Sequence, residues 1–153
     1  MSIVIGAAER DDVPALVRLR LANAARHLDL DPGVHRMPDV EAVRGYFEGV
    51  LAHGSTVVIL VAEAAGEAVG MVEVVLPAEP PDHQILVPRR AAEIHTVGLD
   101  GHRGQGVGSA LVAAAERAAA DRGVTVLHAG ILARNQGAVR FYSSSASGRG
   151  GHR

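Results

Sequence analysis

The residues whose types and spacing could do chemistry crowd into one segment, Val97-Gly98-Leu99-Asp100-Gly101-His102-Arg103-Gly104-Gln105-Gly106-Val107-Gly108-Ser109-Ala110-Leu111. It leaves a strand and opens a helix. Gly104, Gly106 and Gly108 let the backbone approach a ligand closely, and the first N–H groups of a helix have no partner inside it. Together with the helix dipole they make an anion site suited to a pyrophosphate. A purely structural glycine turn competes with that reading, because short glycine motifs are weak signals. A Walker A loop is excluded, since no Gly-Lys-Ser/Thr closes the segment. The spacing Gly-x-Gly-x-Gly also departs from the Gly-x-Gly-x-x-Gly of a dinucleotide fold, and it follows the fourth strand instead of the first. Just upstream, strand alternation places Glu93, His95, Val97 and Leu99 on one face unless a bulge intervenes.

The elements that must position these groups follow from apolar spacing and punctuation. Ile3 to Ile5 is a β-branched opening strand. Asp11 or Asp12 can cap a helix that tolerates Pro14 in its first turn and carries Val13, Leu16, Val17, Leu21, Ala24 and Ala25 at helical spacing, to about His27. Residues 29–38 are loop-like around Pro32-Gly33. Asp39 can cap a second helix with Val40, Val43, Phe47, Val50 and Leu51 apolar, ending near His53-Gly54. Thr56 to Ala62 and Ala68 to Leu76 form a Val-rich antiparallel hairpin across Ala65-Gly66-Glu67. Residues 77–88 form a proline-rich loop. A fourth strand runs from Ala92 to Leu99, and the glycine turn then feeds a helix with Val107, Leu111, Ala114 and Ala118 on one face. Gly123 is its stop. Val124 to Leu132 is a fifth strand, and Asn135 to Tyr142 a short final helix.

The order is β-α-α-β-β-β-α-β-α, an α/β (α+β) chain with a mixed, mainly antiparallel central sheet flanked by helices. The last crossover is right-handed and leads to a parallel neighbour. The expected organisation is a single domain over residues 1–142 with a low-complexity tail at 143–153.

Composition narrows the function. An apolar fraction of 48% is ample for a core, but only 3% is aromatic, so Ala, Val and Leu carry the packing. The net charge of −2 gives no general steering toward nucleic acid or anionic lipid. The absence of cysteine excludes disulfides, thiolate metal sites and a cysteine nucleophile. The eight histidines form no His-Glu-x-x-His and no tight pair, so no metal is expected. The N-terminus meets Glu9, Arg10, Asp11 and Asp12 too early for a signal peptide, and the apolar stretch from Val57 to Leu76 is broken by Glu63, Glu67 and Glu73. A cytoplasmic protein without membrane partner is the expectation.

Arg103-Gly104-Gln105-Gly106-Val107-Gly108 resembles the Arg/Gln-x-x-Gly-x-Gly/Ala signature of the GNAT acetyltransferases. Glu93-Ile94-His95-Thr96-Val97-Gly98-Leu99 looks like that family's fourth strand. Residues 131–142, with Asn135, Ala138 and Phe141-Tyr142, match its later Asn-x-x-Ala-x-x-Phe-Tyr pattern. The resemblance spans residues 3–142 in the family's own order of elements. It implies acetyl-CoA lying between the fourth and fifth strands. Backbone groups of Val97 and Leu99 would hold the pantetheine arm as a strand pairs with its neighbour. The N–H groups from Arg103 through Gly104, Gln105, Gly106, Val107, Gly108 and Ser109 would hold the pyrophosphate, with Asn135 fixing the cofactor from the other side.

The implied reaction is attack of an amine on the thioester. A lysine-like ammonium has a pKa of about 10.4, so a base is needed near neutral pH. Glu93 is the candidate, directly or through a water. An exposed strand carboxylate facing Arg89 or Arg90 is its bland alternative. His95 is a second candidate base, set against a hydrogen-bonded core histidine, and His128 a third. A fourth-strand N–H would stabilise the oxyanion. Tyr142 is placed by the resemblance to protonate the leaving thiolate, whose thiol has a pKa of roughly 8.5; a packing tyrosine is the alternative. The acceptor is expected to be a small-molecule or peptide amine. A CoA-binding module without turnover is the competing function.

The tail departs from the family pattern. Ser143 to Arg153 holds no apolar residue larger than alanine and shows no strand alternation, where the family has two closing strands. An exposed edge on the fifth strand would follow, hence the expectation of a homodimer.

Overall fold

The computed structural model describes residues 2–54, 56–76, 91–98, 106–124 and 126–129. Its elements run β1 (Ile3–Ala7), a 3-10 turn (Arg10–Asp12), α1 (Val13–Leu30), α2 (Val40–His53), β2 (Val57–Ala64), β3 (Glu67–Val75), β4 (Ala91–Gly98), α3 (Val107–Ala120) and β5 (Val126–Ala129). The five strands form one sheet in the order β1-β2-β3-β4-β5. All neighbours are antiparallel except β4 and β5, which are parallel. This is the expected mixed, mainly antiparallel architecture. The expected last helix, the second half of the fifth strand and the 143–153 tail lie outside the described residues.

Local chemistry explains most boundaries. Asp39 caps α2, its Oδ2 accepting from the Ala42 N–H at 2.9 Å. Asp12 stands at the start of α1 but turns its carboxylate back onto the Glu9 N–H at 2.7 Å, closing a capping box around the 3-10 turn instead of capping α1. Helix α1 also runs on to Leu30, beyond the expected end at His27. The β2–β3 turn places Ala65 (φ 54°) and Gly66 (φ 78°) in the left-handed region, the pair of positive φ angles that a two-residue hairpin requires. Glu67 joins the strand. Gly123 (φ 76°) ends α3 as expected, and the Val124 N–H closes back on the Ala119 carbonyl at 2.9 Å.

The sheet has an apolar layer on each face. On one side α3 packs Val107, Leu111, Val112, Ala115 and Ala119 against Val69, Val72, Val74, Ala92 and Ile94. On the other, α1 and α2 pack Leu16, Leu19, Val43 and Phe47 against Ile59, Val61, Met71 and Val97. Strand β4 therefore serves both layers, through Ala92 and Ile94 on one face and Val97 on the other.

Candidate functional site

Gly106 adopts φ 81° and ψ 8° at the N-cap of α3, a left-handed conformation that a residue with a Cβ enters only at a cost of roughly 1–2 kcal/mol. The first bond of the helix runs from the Ala110 N–H to the Gly106 carbonyl at 3.0 Å. The amides of Val107, Gly108 and Ser109 thus precede the helical ladder, the arrangement that suits an anion. Val107 itself is buried, so its side chain anchors the start of α3 against the sheet.

What brings this turn against the sheet is Gly70 on β3. A Cβ on Gly70 would stand 2.9 Å from Val107 Cγ1, 2.9 Å from the Val97 carbonyl oxygen and 3.0 Å from Leu111 Cδ1. The absent side chain is the space into which the first turn of α3 settles.

The same proximity shows that the Val97 carbonyl is directed toward β3. Alternate residues of an antiparallel strand turn their polar groups to opposite sides, so Gly98 is the residue whose backbone looks toward β5. Its carbonyl accepts from Arg26 Nη2 of α1 at 2.9 Å. The parallel register of β4 with β5 runs from Ala91↔Val126 to Ile94↔Ala129. The described part of β5 ends at Ala129, opposite Ile94, while His95 to Gly98 carry β4 on toward the glycine turn.

Glu93, His95 and Val97 share one face of β4, as alternation predicts, and no bulge breaks the β3–β4 register between Glu93 and Gly98. Glu93 and His95 are exposed, at 68% and 52% of their side-chain surface, with His95 Nε2 3.9 Å from Glu93 Oε2. His95 is therefore not the core histidine considered above. His128 pairs in register with Glu93 across the parallel ladder. Leu99, Arg103, Gly104, Gln105, Asn135 and Tyr142, together with Arg89 and Arg90, lie outside the described residues. Among the described residues no group of three or more His, Asp or Glu side chains could hold a metal.

One polar group on this face escaped the reading of the sequence. Among the described residues, Glu73 on β3 is the buried charged residue of the sheet, 3% exposed, and stands directly across from His95. Arg20 of α1 donates to its Oε1, and the Tyr46 hydroxyl of α2 donates to its Oε2 at 2.6 Å. The Arg20 guanidinium lies over the rings of Phe47 and Tyr46, 5.4 and 6.0 Å from their centroids. Burial lowers the pKa of Arg20 from its ordinary value, partly opposed by Tyr46.

A family model described as Acetyltransferase (GNAT) family matches residues 22–145. The chain belongs to the GNAT acetyltransferase family. Acetyl transfer from acetyl-CoA is the general chemistry of that membership. No curated protein matches it. Among solved structures it is similar to a mutant of the BH1408 protein from Bacillus halodurans, with 18% identity over 94% of this chain and 91% of that one and a TM-score of 0.83. It is also similar to the aminoglycoside N-acetyltransferase AAC(6')-Iy in complex with CoA, with 16% identity, 94% and 86% coverage and a TM-score of 0.73. A predicted acetyltransferase from Clostridium acetobutylicum with acetyl-CoA shares 19% identity over 92% and 88% of the two chains, with a TM-score of 0.68. At these identities the likeness establishes the fold.

Proposed function

We propose that this acetyltransferase moves the acetyl group from acetyl-CoA to the nitrogen of an amine by direct attack in a ternary complex. The observation that carries the reading is the left-handed Gly106, which sets the amides of Val107, Gly108 and Ser109 ahead of the α3 ladder beyond the end of β4. That arrangement fits a pyrophosphate on the turn and an extended arm along β4. With the Val97 carbonyl directed toward β3, alternation leaves Gly98 as the residue at the end of β4 whose backbone pairs with the arm. Arg103, Gly104 and Gln105 complete the turn, and Asn135 closes the opposite side.

Glu93, exposed on the face of α1 and α2, takes a proton from the incoming ammonium, directly or through a water. The freed nitrogen forms the new bond to the thioester carbonyl carbon. The resulting oxyanion is stabilised by an edge N–H of β4. When it collapses, the carbon–sulfur bond breaks and the thiolate takes a proton from Tyr142. Holding amine and thioester in one geometry supplies much of the acceleration. Solved neighbours include complexes of aminoglycoside acetyltransferases with an acetylneamine bisubstrate analogue and with sisomicin, which supports a small-molecule amine here. A homodimer in the cytoplasm completes the reading.

Calorimetric titration with acetyl-CoA tests it, alongside an Arg103→Ala, Gly106→Glu double variant. Saturable binding by the wild type, lost in the variant, is the expected result. Binding without acetyl transfer to any amine would leave a CoA-binding module, and absence of binding would overturn the assignment of the turn.

A further inference from the structure

On the α1/α2 side, the polar groups of β3, β4 and the overlying α2 differ widely in exposure. Glu73 is 3% exposed, Tyr46 43%, and the His95 and Glu93 side chains 52% and 68%. The neighbours on this face are apolar: Ile59 and Met71 beside Glu73, and Val97 beside His95. A lone carboxylate at the centre of such a sheet is costly unless it is paired and hydrogen-bonded. Glu73 is both, and its two oxygens are committed to different helices. One holds Arg20, on α1; the other holds Tyr46, on α2. Packing alone would hold these helices, since Leu16, Leu19, Val43 and Phe47 already bury an apolar face. The carboxylate adds direction. A phenol hydroxyl with an acceptor at 2.6 Å has its ring fixed in position and tilt, although much of that ring is exposed.

We propose that Glu73 is a positioning residue for the acceptor amine, holding the Tyr46 ring through its hydroxyl, and Arg20 beside it, as a fixed wall facing His95 and Glu93. The inference rests on the acetyl-transfer reading, in which the amine approaches Glu93. The exposed face of Tyr46 then carries the body of the acceptor, leaving its amine at β4. The cofactor side is untouched, because the glycine turn and α3 lie across the sheet.

The test separates direction from stability. Replacing a buried ion pair by apolar side chains of similar volume is often neutral or stabilising, so the double variant Arg20→Met, Glu73→Leu keeps the layer packed while releasing the Tyr46 hydroxyl. Tyr46→Phe removes that hydroxyl alone from a ring that is already exposed. Neamine, 2-phenylethylamine and an alanine-initiated tripeptide serve as acceptor probes. Both variants are expected to melt near the wild-type temperature and to bind acetyl-CoA with unchanged Kd. For the acceptors that wild type uses, KM should rise at least tenfold in the double variant and at least threefold in Tyr46→Phe. Tyrosine emission gives a readout independent of turnover. The chain has two tyrosines and no tryptophan, and a carboxylate accepting the phenol proton quenches emission. Subtracting the Tyr46→Phe spectrum isolates Tyr46, whose emission should increase in the double variant. A folded Tyr46→Phe with wild-type KM, or Tyr46 emission indifferent to loss of Glu73, overturns the proposal while leaving acetyl transfer standing. Failure of the wild type to acetylate any probe overturns the reading beneath it.

Discussion

Substituting Gly70 by alanine should loosen the cofactor site from the strand on which the first turn of α3 is seated. The added Cβ would lie 2.9 Å from Val107 Cγ1 and 2.9 Å from the Val97 carbonyl oxygen, with Leu111 Cδ1 at 3.0 Å. The leucine methyl can rotate away. The β-branched valine has little χ1 freedom within a helix, and the carbonyl is held in the β3–β4 ladder. Overpacking of this kind costs about 1–3 kcal/mol. Against it, alanine in a strand interior is favoured over glycine by about 0.5–1 kcal/mol. With one of the three obstacles fixed in the backbone, the net cost should fall at about 1–2 kcal/mol, or about 2–8 °C of melting temperature for a chain of this size. The strain is relieved by displacing the first turn of α3, which carries the amides of Val107, Gly108 and Ser109. Acetyl-CoA should therefore bind at least threefold more weakly, measured by calorimetry on protein shown folded by circular dichroism. Gly6→Ala is the control: no heavy atom lies within 4 Å of its added Cβ, so it should be neutral or slightly stabilising. Adding Val107→Ala to Gly70→Ala should recover part of the affinity. A Gly70→Ala protein with wild-type melting temperature and Kd would refute the view that this glycine seats the turn.

Asp39→Ala removes the cap on the Ala42 N–H and should cost about 0.5–2 kcal/mol by urea denaturation, with acetyl-CoA affinity unchanged. Phe47→Ala empties a fully buried position beneath α2 and should cost about 3–5 kcal/mol, a large part of the total stability of a typical domain. Glu93→Gln should lower kcat/KM by about 10²–10⁴ without altering acetyl-CoA binding; steady-state kinetics at fixed pH, with calorimetry for the cofactor, would show it, and an unchanged rate would move the base to His95.

The parts of this fold legible in the sequence are those set by local rules. Val-rich runs separated by Ala65-Gly66 specify a hairpin, Asp39 caps its own helix, and the glycine turn gives way to α3 where its apolar spacing begins. Asp12 misled because its carboxylate had two nearby amides to choose between, and the 3-10 turn at Arg10–Asp12 made the preceding one reachable. Val97 poses a different question. Alternation fixes the face to which its side chain points, but only the β3 register fixes the edge to which its carbonyl points. Glu73 was harder still. In a run of valines it passes for a solvent-facing interruption, and its partners lie 53 residues away at Arg20 and 27 away at Tyr46. A carboxylate at the middle of a central strand, flanked by β-branched residues, was the available signal.

The two-layer construction lets the two halves of the proposed reaction be perturbed separately. Gly70 and Val107 lie on the α3 face, where the turn for the cofactor is seated. Glu73, Arg20 and Tyr46 lie on the α1/α2 face with Glu93 and His95. Strand β4 is the element common to both, and Arg26 ties α1 to the carbonyl of its last residue, Gly98. Changes at Gly70 should therefore appear in acetyl-CoA Kd, and changes at Glu73 in acceptor KM. A change at Arg26 should appear in both, because the hydrogen bond it makes holds an acceptor-side helix to the cofactor-side edge. If Arg26→Gln altered only one of the two constants, the end of β4 could not be the hinge between the sites, and the edge assigned to the pantetheine arm would have to be moved.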